Sequence, residues 1–381
     1  SKIYLHLTSY YIKIYHNIKN NIISIIVFLV CVSCGSRPNQ IDVNVDQYVR
    51  NLMIMYPHEI DYSFKKLSTD SLGITMPLRL VGLTGNRIGI VDGFNWRISL
   101  IDTSNQVLSS LQTVGNGPEE WVQVNFMSSA SDTIALIDAR QNRIVYLSAI
   151  KDTLEPHSTT HFRIREDGTP IAYFKNNNLH YYLIRKYSQP GQFKSEYTLV
   201  WTTSYSETHN HIATFSDSDA ITDITSLMFR LSQLLISIDQ ESSGLAVAYS
   251  DSLVVNVKYP EKLSWKRISL SNTSKRDNTE FNIDYVTNST STEEYIQYIT
   301  RSDFLPIIRS MEFHDGRIYL QLHYFGGPDN IILVHSLKDS TNKYINAPLG
   351  FRMMSIYESN IYGILIDEES GENNVAILSL I

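Results

Sequence analysis

The chain has 381 residues, 43% of them hydrophobic and 19% charged, and its formal net charge is −7. This length and composition allow a large buried core, while the absence of a basic stripe argues against nucleic-acid binding. Both cysteines, Cys31 and Cys34, lie near the N-terminus, which excludes a disulfide framework, a thiolate metal site and a cysteine nucleophile from the rest of the chain.

The N-terminal segment has the pattern of an export signal. Residues 22–33 are an apolar run after basic residues, and the run is shorter than the ~20 residues of a membrane-spanning helix. It ends in Val32-Ser33-Cys34-Gly35, which resembles a bacterial lipobox, although Cys31 stands where an aliphatic residue is usual. The resemblance implies cleavage before Cys34 and acylation of that residue. The alternatives are a buried helix and an uncleaved anchor.

These features predict a division of the chain into three parts. Residues 1–35 are the predicted signal peptide, and residues 1–20 are interpreted as an upstream extension of it. Residues 36–55, which follow Gly35 with Ser36-Arg37-Pro38-Asn39-Gln40 and stay mostly polar up to residue 50, are the predicted tether. Residues 56–381 are the predicted folded domain.

Six turns along this domain are each followed by an apolar β-run. The runs begin at residues 88, 134, 179, 245, 318 and 361. Three of the five steps are within a few residues of one another, and a period of ~40–50 residues suits four antiparallel strands with their turns. The pattern predicts an all-β, six-bladed β-propeller with four-stranded antiparallel blades. A pair of β-sandwiches is the alternative.

The first two units agree beyond hydrophobicity. Asp92 and Asp138 are 46 residues apart, and so are Arg97 and Arg143. The strands predicted for the first unit are Leu78–Leu83, Arg87–Asp92, Arg97–Asp102 and Val107–Val114.

The first unit is followed by Gly115-Asn116-Gly117-Pro118-Glu119-Glu120-Trp121. This segment resembles the Gly-x-Gly-Pro-x-Glu-aromatic signature of the TolB-like six-bladed propeller lipoproteins of Bacteroidales, families largely of unknown function. Gly115 and Gly117 permit a tight reversal and Pro118 fixes φ. We interpret the segment as a structural turn between blades, in which Glu120 accepts backbone N–H groups and Trp121 packs between sheets. A ligand-binding glycine loop is the alternative, and no Gly-Lys-Ser/Thr follows to support a phosphate loop.

Two insertions lengthen the repeat, within residues 186–243 and 258–311. Residues 221–235 and the segment after residue 291 have helical spacing, which predicts short helices. Insertions of this kind lie on the loop faces where repeat proteins bind ligands. Four aromatic residues of the second insertion could form a shelf for a sugar ring or could cover a blade edge: Phe281, Tyr285, Tyr295 and Tyr298.

The last unit has only three predicted strands, Phe351–Tyr357, Ile361–Ile366 and Val375–Leu380. An open edge would expose unpaired backbone groups. We therefore predict that residues 59–67, in which apolar residues alternate, supply the missing outer strand.

No segment carries a catalytic or metal-binding pattern above background. His209 and His211 form at most half of a zinc site, His157 and His161 are weaker candidates, and the acidic loop 367–372 does not match a calcium loop. We predict no catalytic residue, no metal and no cofactor.

The functional hypothesis is a non-enzymatic binding module, monomeric and anchored in the outer membrane through Cys34. The periplasmic face is favoured over the cell surface because no acidic cluster follows Cys34. The expected ligand is a glycan, a peptide or an envelope protein. A hydrolase or lyase with its site at the central channel is the alternative, and a structural subunit of an envelope complex is a third possibility.

Overall fold

The computed structural model describes residues 54–381 with gaps at 118, 162–167, 177–178, 188–194, 204–209, 217–233, 240–241, 243, 250–253, 260–263, 271–306, 324–329 and 368–369. The described strands form six sheets, which are the six predicted blades. All strand pairs in them are antiparallel except one, in which an additional short strand joins the fifth blade in parallel. In each of the first five blades the chain runs outward from an innermost strand, strand by strand, and the next blade again begins with its innermost strand. The outer strand of the sixth blade comes from the N-terminal part of the chain.

The strands follow in chain order. The first half of the chain holds β1 (His58–Glu59), β2 (Tyr62–Leu67), β3 (Pro77–Leu83), β4 (Arg87–Asp92), β5 (Arg97–Asp102), β6 (Val107–Leu111), β7 (Phe126–Ala130), β8 (Thr133–Asp138), β9 (Arg143–Ser148), β10 (Glu155–His161), β11 (Thr169–Asn176) and β12 (Leu179–Tyr187). The second half holds β13 (Ser195–Thr202), β14 (Asn210–Ser216), β15 (Leu234–Ile238), β16 (Leu245–Tyr249), β17 (Val254–Lys258), β18 (Lys266–Ser269), β19 (Ile307–His314), β20 (Arg317–His323), β21 (Ile331–Ser336), β22 (Asn342–Asn346), β23 (Phe351–Tyr357), β24 (Asn360–Ile366) and β25 (Asn373–Leu380).

The six predicted apolar runs are the second strands of the six blades: β4, β8, β12, β16, β20 and β24. These strands have neighbours on both edges and on both faces, so they bury most of their residues. Ile88 and Ile90 on one side of β4 and Val91 on the other are fully buried. In the tight turns before them, residues such as Asn86 and Asp315 have positive φ angles. Asn and Asp adopt this left-handed backbone conformation more readily than other non-glycine residues.

The apolar core is divided among the six junctions between neighbouring blades. Each of six buried clusters takes its members from two adjacent blades. One cluster joins the last blade to the first through Tyr362 and Ile88, so the ring is closed. The paired-sandwich alternative is therefore wrong, because each sheet packs against two others and not against one.

The N-terminal strands close the ring as predicted. β2 pairs antiparallel with β25, from Tyr62 opposite Leu380 to Leu67 opposite Val375, and becomes the outer strand of the last blade. β1 was not predicted, and it pairs in parallel with β22 on the outer edge of the fifth blade. Tyr56 is fully buried between blades four and five, where its hydroxyl donates to the carbonyl of Leu270 at 3.2 Å.

Three sequence predictions differ from the structure in detail. The fourth strand of the first blade ends at Leu111 and not at Val114. Leu234 and Leu235, at the end of a predicted helix, begin β15. The rest of that helix and the whole second predicted helix lie outside the described residues. Among the described residues only Ile54 and Met55 are helical, and in that part of the chain no helix is long and apolar enough to cross a bilayer.

Candidate functional site

The segment from Thr113 to Trp121 forms the connection between the first and second blades. The N–H of Trp121 donates to the carbonyl of Thr113 at 3.0 Å, and the N–H of Gly115 donates to the carbonyl of Trp121 at 3.1 Å. A carboxylate oxygen of Glu120 accepts the N–H of Gly117 at 2.6 Å. A β-carbon on Gly115 would overlap this carboxylate, so a larger residue there would displace Glu120 from the N–H of Gly117.

Arg143 of the second blade is hydrogen-bonded to this turn. Arg143, only 2% exposed, donates from Nη1 to the carbonyl of Gly117 at 2.6 Å and from Nη2 to the carbonyl of Glu120. Trp121 is fully buried in the cluster between blades one and two, and its Nε1–H donates to the carbonyl of Trp96 at 2.6 Å. All of these contacts are made within the protein, so the described part of the segment serves as packing between the first two blades. Pro118 lies outside the described residues.

The other residues singled out in the sequence fall into two groups. Cys34 and the aromatic residues Phe281, Tyr285, Tyr295 and Tyr298 lie outside the described residues, as do Cys31 and His209. His157, His161 and His211 are exposed, and Nε2 of His211 is within hydrogen-bond distance of the Thr214 hydroxyl, at 2.8 Å. Within the described ranges no group of His, Cys, Asp and Glu side chains is arranged to hold a metal ion.

A channel along the axis of the ring is among the concave features of the described structure. It widens into two cavities, of about 610 Å³ and about 350 Å³, and each is lined by all six blades. The larger cavity lies where the innermost strands begin, and the smaller lies where they end. The cavities share Phe126, Met127, Glu312 and Met354 in their walls, so Glu312 stands at the waist of the channel.

Charge is distributed unequally between the two ends. Three arginines line the larger cavity: Arg79 of β3, Arg309 of β19 and Arg352 of β23. These strands belong to blades one, five and six, which are consecutive around the closed ring. We call these three side chains the cationic arc. The smaller cavity has Glu358 and His314 in its wall and, among the described residues, neither lysine nor arginine.

The opposite side of the larger cavity is apolar. It is formed by the innermost strands of blades two, three and four, and we call its residues the apolar arc: Phe126, Met127, Ile171, Ala172, Leu234, Leu235 and Ile236. Apolar residues such as Met76, Leu78 and Met353 also flank the arginines. The cavity is therefore amphipathic in the sense that its positive charges are confined to one side of a largely apolar wall.

Irregular strand pairing shapes this cavity. The register of the innermost strand shifts by one residue at Leu78, at Ile171, at Arg309 and at Met354, and all four residues line the larger cavity. Such bulges re-aim side chains and are frequent next to functional sites. Arg309 is itself a bulged residue, so a local break in the ladder places a positive charge on the channel wall.

Glu312 lies deep in the channel, with part of its side chain open to the cavities. Burial raises its pKa to about 8, and the hydrogen bond from Ser237 Oγ to Glu312 Oε2, 3.2 Å long, opposes that rise only partly. Ser237 also accepts the N–H of Phe313 at 2.9 Å. At neutral pH the carboxyl group is therefore mostly neutral and able to donate a hydrogen bond.

The sequence contained a signal for the cationic arc that the motif analysis missed. Arg79, Arg309 and Arg352 each stand nine residues before the first residue of a predicted apolar run, at 88, 318 and 361. The same offset in a repeat places them at the same level of three blades.

Comparison with known proteins agrees with this architecture. A family model described as a 6-bladed beta-propeller, DUF5128, matches residues 40–334. The fold is similar to that of an exported protein from Bacteroides fragilis, with a TM-score of 0.54 at 12% identity over 89% of this chain and 97% of the other. It is also similar to a member of the duf4221 family from Bacteroides vulgatus, with a TM-score of 0.58 at 9% identity over 85% and 98% of the two chains. No curated protein matches the sequence.

Proposed function

Because the chain belongs to the DUF5128 family of 6-bladed β-propellers, we propose that it is a non-enzymatic binding module whose ligand enters the larger cavity of the channel. The proposed ligand is a glycan, a peptide or a segment of an envelope protein. The observation that carries this proposal is the amphipathic cavity, with the cationic arc facing the apolar arc. Its volume of about 610 Å³ is within the range of ~300–1,000 Å³ that is usual for ligand pockets.

A specific observation favours an enzyme as the second candidate. Glu312 combines burial, a raised pKa and a place in a cleft, which are features of general acids. A hydrolase or lyase would use this carboxyl to protonate a leaving group at neutral pH.

One experiment separates the two candidates. The protein is screened on a glycan array and against a peptide library, and each molecule it binds is then incubated with it and analysed for cleavage. The binding module retains its ligand intact, and Glu312→Gln leaves its affinity nearly unchanged. Cleavage of a bound molecule that Glu312→Gln abolishes would establish the enzyme instead.

We also propose that the propeller is exported and anchored in the outer membrane, on the periplasmic face, through a lipid on Cys34. The lipobox-like end of the N-terminal apolar run supports this address, and the similarity to an exported Bacteroides protein is consistent with it. Stable anchoring needs two or more acyl chains, since a single chain binds a bilayer only marginally.

The anchor has a matched pair of test variants. Cys34→Ala should leave the protein without lipid and in the soluble fraction after cell lysis, whereas Cys31→Ala should still partition with membranes. Equal partitioning of the two variants would contradict the assignment of the lipid to Cys34. Protease protection in intact cells then reports the face of the membrane.

A further inference from the structure

We propose that the larger cavity binds a small carboxylate with an apolar body, whose carboxylate lies against the cationic arc and whose body lies against the apolar arc. This inference rests on the proposed binding function of the cavity, and it names a ligand class that is smaller than the glycan, peptide or protein segment considered above. It follows from the way in which the six innermost strands divide the cavity wall.

The three arginines of the cationic arc provide the charge and the hydrogen-bond donors that a carboxylate needs. An arginine side chain presents a planar fork of N–H donors that matches the two oxygens of a carboxylate. Arg79 is positioned by its own blade and the next, because it donates to the carbonyls of Leu78 at 3.1 Å and Asn125 at 3.3 Å. Arg309 is placed by its bulge. Three positive charges on one arc also attract an anion into the channel mouth.

The apolar arc specifies the rest of the ligand. Phe126 is held at the waist by an edge-to-face contact with Phe174, with ring centroids 5.8 Å apart. Met127 and the branched side chains of blades three and four continue this surface. Since a fully polar molecule would lose hydration against such a wall without compensation, a carboxylate with a hydrocarbon or aromatic body fits the cavity better than a sugar acid does.

Glu312 at the waist does not oppose an anion. Its carboxyl group is mostly uncharged at neutral pH, so the wall beneath the cationic arc adds a hydrogen-bond donor rather than a second negative charge. Ser237 Oγ already donates to one of its oxygens. The proton of the neutral carboxyl group therefore lies on its other oxygen, from which it can be donated to a ligand in the cavity.

The test uses three probes in isothermal titration calorimetry with the whole protein at neutral pH and low salt. Phenylbutyrate has the proposed chemistry, phenylbutyramide has the same body without the charge, and galacturonate has the charge on a polar body. We expect phenylbutyrate to bind about tenfold or more tightly than phenylbutyramide, since a hydrogen bond to a charged group contributes on that order. We expect the same margin over galacturonate, because its polar body would lose hydration against the apolar arc.

Variants of the cavity test the assignment to residues. Arg309→Met should weaken phenylbutyrate binding about tenfold or more, while Arg267→Met, a matched change at an exposed residue of the outer strand β18, should leave it within about twofold. If Arg309→Met fails to fold, as judged by its thermal melt, Arg309→Lys and Arg352→Met replace it with the same expectation.

Each contrary outcome has a distinct meaning. Equal binding of the amide, tighter binding of galacturonate, or no measurable binding of phenylbutyrate overturns the inference. If a glycan or peptide from the screen nevertheless binds and Arg309→Met weakens it, the proposed function stands and only the ligand class is wrong. If no molecule of any class binds and the cavity variants change nothing, both fail.

Discussion

Asp92 and Asp138 have the same structural role in consecutive blades. Each lies at the end of a second strand and accepts backbone N–H groups from the segment that enters the innermost strand, from Met76 at 3.0 Å and from Val122 at 2.8 Å. Each also has an arginine beside it, Arg97 at 3.9 Å and Arg143 at 4.0 Å. These arginines donate to carbonyls of the same entering segments.

The two arginines differ in burial, which predicts different contributions to stability. Arg143 is 2% exposed and Arg97 is 25% exposed. Arg143→Met removes the donor for several carbonyls and leaves Asp138 as a buried unpaired charge, which should lower the free energy of unfolding by about 3–5 kcal/mol. Arg97→Met should cost less, about 1 kcal/mol, because Arg97 is itself partly hydrated. The Asp92 carboxylate, although buried, also keeps the backbone N–H groups of Thr75, Met76 and Phe94.

Urea unfolding of both variants against the parent protein measures this difference. The m-value should remain constant if the ring unfolds as one cooperative unit. Equal destabilisation by the two substitutions would show that burial of the Asp138–Arg143 pair does not set its contribution.

Sequence reasoning found the features that repeat and missed those that depend on assembly. The 46-residue spacing of the Asp and Arg pairs was visible because both blades use it for the same backbone bonds. Strand β1 has two residues, too few for any periodicity. The amphipathic cavity arises because arginines of three blades and apolar residues of the other three meet on one axis, and the bulge at Arg309 follows from strand register and not from local composition.

Closure of the ring by β2 predicts that its removal destabilises the whole propeller. Deleting residues 56–68 takes away a six-residue strand and the buried side chains of Tyr56 and Leu67, and it leaves β25 as an open edge. We expect a loss of at least about 4 kcal/mol and a tendency to aggregate.

The matched control deletes residues 36–48, a segment of the same length within the predicted tether. Differential scanning calorimetry should show the parent melting temperature for this control and a much lower one for the deletion of residues 56–68. Identical melting of both deletions would refute the role of β2 in closure.

Two left-handed glycines give a paired test of local packing. Gly350, with φ of 78°, precedes β23, and a β-carbon there would overlap the carbonyl oxygen of Ile366. Gly316, with φ of 66°, has no atom within 4 Å of the same position. Gly316→Ala should cost about 1–2 kcal/mol from the backbone conformation alone, and Gly350→Ala should cost at least about 2 kcal/mol more because the strand must shift. Chemical denaturation measures both, and a smaller cost for Gly350→Ala would mean that β23 moves freely at its start.

The pKa of Glu312 predicts how stability depends on pH. Its folded pKa is raised from 4.5 to about 8, so between these values the native state binds a proton that the unfolded state has released. The free energy of unfolding should therefore fall as pH rises through this window, by up to about 1.4 kcal/mol per pH unit, and this contribution should be constant outside it. The groups that face the carboxyl across the channel or on neighbouring strands are Ser237 of β15, Tyr319 of β20, Arg352 of β23, and Arg309 and His314 of its own strand.

Glu312→Gln isolates this contribution, because every other titrating group is common to the variant and the parent. Glutamine keeps an oxygen for the Ser237 hydroxyl and cannot ionise. Unfolding by urea at several pH values between about 5 and 8 should show the variant gaining stability relative to the parent as pH rises. If the free energies of unfolding of Glu312→Gln and the parent change in parallel with pH, the Glu312 carboxyl is ionised in the native channel. The waist of the channel would then carry a negative charge that opposes an anionic ligand.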